Sequence, residues 1–129
     1  ERGITVTGPD PRTLVDPVSA EELRVGSRHT LTTWAASLAE HPEQMSSRGY
    51  QSYVVLTLCR ILFTLELGEV ASKQVAASRA QERLGQPFGG LIEQALRERL
   101  QSEGKPDAET LRKTVEMIGF VKVIAQNRA

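Results

Sequence analysis

The stretch YQSYVVLTLCRILFTLEL, residues 50–67, decides the fold. Apolar side chains at Tyr50, Tyr53, Val54, Val55, Leu56, Leu58, Cys59, Ile61, Leu62, Phe63 and Leu65 leave almost no polar face. The β-branched pair Val54 and Val55 suits a strand, but the length of the run favours a helix. The reading is a helix over 47–67, stopped by Gly68 at the C′ position. A helix that is apolar on nearly all sides occupies the middle of a bundle. The run is too short to span a bilayer, and Arg60 and Glu66 interrupt it.

Four further helices surround this one in the sequence. Upstream, Ser19 and Glu22 form a capping box that opens a helix running to about Ala39, with Leu23, Leu31, Trp34, Ala35 and Leu38 as apolar positions. Downstream, Ser72 caps a helix over 73–84 that Gly85 stops. Pro87 opens another over 88–103, with Leu91, Ile92, Ala95, Leu96 and Leu100 at helical spacing, broken by Gly104 and Pro106. Asp107 caps the last, from Ala108 to about Gln126, with Leu111, Val115, Ile118, Val121 and Ile124 or Ala125 along one stripe. Short connections between five helices predict an all-α, five-helix bundle.

The amino terminus differs. Residues 3–7 alternate like one short strand, ended by Gly8, Pro9, Asp10 and Pro11. A lone strand cannot satisfy its own backbone groups. It therefore belongs to a larger protein, unless the segment is a tail without structure.

The chain's 129 residues suit one domain and allow about two-thirds of the surface to be buried. A single cysteine, Cys59, excludes an internal disulfide and a cysteine-built zinc site. It reads as a small buried hydrophobe, with no histidine near it in sequence. Sixteen basic and sixteen acidic residues cancel, and aromatics are 5%. Neither nucleic acid nor a membrane surface is therefore an expected partner. No leader-like apolar region opens the chain, so the expected location is cytoplasmic.

Enzyme constellations are missing. There is no Gly-rich phosphate loop. His29 and His41 lack ligand spacing, and the three aspartates, Asp10, Asp16 and Asp107, form no Asp-x-Asp pair. A Mg²⁺ site needs clustered carboxylates. No catalytic residue and no metal ligand is assigned. Two cations do stand out. Arg60 lies in the most hydrophobic helix, and a buried guanidinium must be paired or must reach a ligand. Glu66 or Glu69 could serve as its ion partner. Lys73 sits in the first turn of a helix, where a lysine and the helix N-terminus together suit a phosphate, although a solvated surface lysine is the plainer reading. Trp34 is either core packing or the wall of a ligand cleft.

Residues 50–77, together with Asp16-Pro17-Val18-Ser19, Leu31-Thr32-Thr33-Trp34 and Leu91-Ile92-Glu93-Gln94-Ala95, resemble the C-terminal domain of aminoglycoside nucleotidyltransferases. The streptomycin/spectinomycin adenylyltransferases are the most similar branch. The resemblance covers most of Ile4 to Arg99. It is most specific at LTLCR, residues 56–60, and VASK, residues 70–73, at their mutual spacing. Members of this family join an N-terminal nucleotidyltransferase domain, bearing a Gly-Ser motif and an Asp-x-Asp metal pair, to a helical bundle. ATP and drug lie between the two, and AMP is transferred to a drug hydroxyl.

The resemblance implies that residues 18–129 are the helical half and residues 1–17 are the last strand and linker of the other domain. It implies ATP and Mg²⁺ as cofactors of the full-length enzyme, with the Mg²⁺ ligands outside this chain. It implies an aminoglycoside-like small molecule as substrate and antibiotic resistance as the consequence. Arg60 and Lys73 match the arginine and lysine that reach the nucleotide phosphates. Trp34 matches the tryptophan beside the drug. Tyr50 stands at the drug site where those enzymes place an acidic residue, which leaves the acceptor open. Two other readings compete: a stand-alone helical binding module, and a nucleotidyltransferase with a non-antibiotic acceptor.

Overall fold

The computed structural model describes residues 19–86, 88–100 and 104–127. Five helices and one short 3-10 turn, Pro42–Gln44, fill it, and no strand occurs among the described residues. The expected strand at residues 3–7 and the opening proline Pro87 lie outside the described residues.

Helix α1 has three parts: α-helical Ala20–Thr30, a π-helical turn Leu31–Ala35, and α-helical Ala36–Glu40. Both bonds of its capping box form, between the Ser19 side chain and Glu22 N–H at 3.1 Å and between Ser19 N–H and the Glu22 carboxylate at 3.0 Å. These bonds, the backbone one foremost, hold the Glu22 carboxyl below its ordinary range. The sequence predicts an unbroken α-helix here, and the π turn is a correction to it. Its local cause is a series of threonines. Thr30, Thr32 and Thr33 each donate a side-chain hydroxyl to a carbonyl four residues back, at 3.1, 3.0 and 2.7 Å. Such back-bonding loosens and bends a helix.

Helix α2 spans Arg48–Leu67 and packs against all four other helices. Ser47 caps its start by accepting from Tyr50 N–H at 3.1 Å. Gly68 ends it at φ +69°, where a Cβ would meet the Ala20 Cβ at 2.7 Å. α3 spans Lys73–Leu84, α4 Phe88–Glu98 and α5 Ala108–Asn127. Ser72 accepts from Val75 N–H, and Asp107 from Thr110 N–H at 2.7 Å. Both sequence-predicted caps are thus in place.

α4 ends earlier than the sequence predicts, at Glu98 rather than residue 103. Leu100 is 89% exposed, so no apolar contact holds a further turn. The chain is instead tied at Gly104, whose carbonyl accepts Arg48 N–H at 3.1 Å.

The core is continuous around α2. Val54, Val55, Leu58, Cys59 and Leu62 meet Leu31, Ala77, Ile92, Met117 and Ile118, all essentially without exposed surface. One polar link crosses it: Gln51 Nε2 donates to Thr114 Oγ1 at 2.8 Å, and Thr114 donates to the Thr110 carbonyl at 2.8 Å.

Candidate functional site

The α2 residues at 53, 57, 60 and 64 share one helical face, as spacings of three and four require. Its first part, Tyr53, Thr57 and Arg60, is left open by the neighbouring helices, whereas Thr64 is buried and donates to the Glu69 carbonyl at 2.9 Å. The face forms one wall of a groove of about 440 Å³, with Tyr53, Thr57 and Arg60 on it. Glu22, Gly26 and Thr30 of α1 form the opposite wall, and Val70 and Ala71 close the end towards α3.

Arg60 corrects a sequence expectation. It is exposed, not buried. Neither expected ion partner, Glu66 or Glu69, pairs with it among the described residues, and Glu66 is engaged by Arg83 at 2.6 Å and Arg79 at 3.5 Å. Arg60 makes no ion pair or hydrogen bond among the described residues. A guanidinium lining a groove in that state presents five donors to whatever enters.

Lys73 is half-buried in the first turn of α3, and its Nζ lies 5.6 Å from the centre of the Tyr53 ring. That is cation–π range. The solvated-surface reading of Lys73 therefore describes it only in part.

Trp34 and Tyr50 meet. The indole Nε1–H donates to the Tyr50 hydroxyl at 3.1 Å. Tyr50 stacks on Tyr53 with ring centres 6.0 Å apart, and Trp34 meets Tyr53 edge-on, also at 6.0 Å. Trp34 sits inside the π turn of α1, and π turns concentrate at functional positions. It is half-buried, so both readings of it hold in part: it packs on the core and borders open surface.

Three of the four residues singled out from the sequence, Trp34, Tyr50 and Lys73, contact Tyr53, and the fourth, Arg60, shares the groove with it. Trp34, Tyr50 and Lys73 lie outside the walls of the groove itself. Sequence reasoning treats Tyr53 only as an apolar residue of α2, yet it is 46% exposed and joins the group. The signal is the spacing Tyr50, Tyr53, Thr57, Arg60, a 3-4-3 stripe along one side of α2.

Other candidate chemistry is quiet. Among the described residues no group of three or more His, Cys, Asp or Glu could hold a metal ion. Among the same residues no helix is long and apolar enough to cross a membrane. Burial pushes the Cys59 thiol up to about 12, which leaves it protonated and inert at neutral pH.

Comparison with known proteins adds three findings. A family model described as the C-terminal domain of aminoglycoside adenylyltransferase matches residues 13–123. An aminoglycoside (3'')(9) adenylyltransferase of Escherichia coli is 32% identical over 122 residues, 95% of this chain and 44% of that protein. Proteins of the same name from Klebsiella pneumoniae and Rhizobium radiobacter are 35% and 30% identical, over 74% and 95% of this chain and 34% and 43% of their own lengths. The chain thus spans less than half the length of these relatives.

Proposed function

The chain belongs to the family of aminoglycoside adenylyltransferase C-terminal domains, and from that premise we propose that it supplies the phosphate-facing cations and the acceptor wall of an enzyme transferring AMP from ATP to a hydroxyl of an aminoglycoside antibiotic. Residues 18–129 are the helical domain in this reading, and residues 1–17 lead in from a catalytic domain. That partner domain holds the Mg²⁺ ions and the base that takes the hydroxyl proton. No residue described here is assigned to the metal. The reaction takes place in the cytoplasm, and its outcome is drug inactivation.

One observation carries the reading: residues drawn from α1, α2 and α3 gather around Tyr53 beside a groove that holds Arg60, an arginine without an ion pair among the described residues. Nucleotidyl transfer builds negative charge on the phosphates, and pre-placed cations stabilise it without reorganisation. Arg60 offers a planar fork of donors to phosphate oxygens. Lys73 adds a second charge at a helix start, where the peptide dipoles also favour an anion. Trp34 and Tyr50 offer aromatic faces to the sugar rings and cationic groups of an acceptor. Tyr50 brings no charge of its own, so an ion pair with a cationic drug must come from elsewhere.

In the full-length enzyme, Arg60→Ala and Lys73→Ala should each raise KM for ATP and lower kcat. A lost charge-assisted contact corresponds to about ten- to hundredfold in kcat/KM. Unchanged kinetics in both variants would sink the assignment. A panel of aminoglycosides assayed with ATP separates an antibiotic acceptor from another hydroxyl compound.

A further inference from the structure

We infer that Tyr53 is a positioning residue, one that holds the Lys73 ammonium at the phosphate site without consuming its charge. The inference rests on the nucleotide-binding reading of Lys73 above. Lys73 makes no hydrogen bond or ion pair among the described residues, and its Nζ lies over the ring of Tyr53, 5.6 Å from the ring centre. A lysine side chain carries large rotamer freedom, and holding it in one place needs a partner. A carboxylate would do so, but it would neutralise the ammonium and compete with a phosphate for its protons. An aromatic face attracts the ammonium through its quadrupole and leaves the three N–H donors free.

Tyr53 is itself held for this task. Tyr50 stacks on its ring, and Trp34 abuts it edge-on. The same side chain lines the groove with Arg60. The arrangement therefore connects the aromatic pair on the acceptor side to Lys73 through one ring, which also borders the groove that Arg60 lines. With 46% of its surface exposed, Tyr53 is far more open than a residue kept only for packing.

The test is steady-state kinetics of the full-length enzyme with Tyr53→Leu, Tyr53→Phe, Lys73→Ala and the Tyr53→Leu/Lys73→Ala double variant, with thermal melts as a folding control. Tyr53→Leu should lower kcat/KM for ATP about two- to fivefold, the strength of an exposed cation–π contact, with KM and kcat moving in the same directions as in Lys73→Ala. Tyr53→Phe keeps the ring face and should restore most of that loss. On the Lys73→Ala background, Tyr53→Leu should add nothing further. Equal losses in the Leu and Phe variants, or full additivity in the double variant, would overturn the inference and leave the nucleotide site standing. An unchanged KM in Lys73→Ala would remove the reading beneath it, and the inference with it.

Discussion

Cys59 and Arg60 are adjacent on α2. Cys59 has no exposed surface, and burial drives its thiol towards the neutral form. Arg60 is exposed and lines a groove without an ion partner among the described residues. The division continues along the helix. Gln51, Val55, Leu58 and Leu62 are sealed, whereas Tyr53, Thr57 and Arg60 stay open to varying degrees. One face holds the bundle together and pairs the Gln51 amide with Thr114 across the core. The other face is left with unspent charge. A helix with both properties lets the stability of the domain and its ligand-facing chemistry be altered separately.

Leu58→Ala should break the sealed face most severely. Removing a fully buried leucine costs about 2–5 kcal/mol, through lost transfer energy and the cavity left behind. Arg60→Ala, two positions away, should change stability by no more than about 0.5 kcal/mol. Chemical denaturation of both variants measures the contrast. Comparable losses would mean that the two faces are not distinct.

The five helices and most of their ends were legible because they are local, the end of α4 being the exception. Ser19 with Glu22, Ser72, Gly68, Gly85 and Asp107 each act within four residues of their own position, so sequence alone locates them. The exposure of Arg60 was not legible. The apolar run of residues 50–67 is too uniform to show which face lacks a neighbour, and that is set by where α1 and α3 pack. The π turn escaped for a related reason. Each threonine between 30 and 33 is unremarkable alone, and only their successive back-bonds open the helix. The role of Tyr53 needed the third dimension as well, since Trp34, Lys73 and Tyr50 come from three helices. Family resemblance located Arg60 and Lys73 but offered no partner for either.

Gln51 sharpens the comparison from the polar side. It is 1% exposed, and its amide reaches Thr114 at 2.8 Å across the core. Gln51→Ala removes a buried hydrogen bond and leaves a void between α2 and α5. The expected loss is about 1–3 kcal/mol. Gln51→Leu should recover part of it, because the volume is refilled while Thr114 keeps its bond to the Thr110 carbonyl. A silent Gln51→Ala would show that the link is wetter than its burial indicates.

The last effect concerns Cys59 and appears only in alkali. The folded thiol keeps its proton up to about 12, against an ordinary value of 9.0. Between those values the unfolded chain binds fewer protons than the folded one, so the free energy of unfolding falls as pH rises. The slope attributable to this group reaches about 1.4 kcal/mol per pH unit and vanishes below pH ~9. Comparing the denaturation midpoints of the native chain and Cys59→Ala from pH 7 to pH 11 isolates that share, since lysine and tyrosine titrations are common to both. The two curves should run parallel up to pH ~9 and converge above it, as the native chain loses stability faster. Curves that stay parallel throughout would place the thiol in contact with water. The sealed face of α2 would then be open one residue away from Arg60, and the division between the two faces would have to be redrawn.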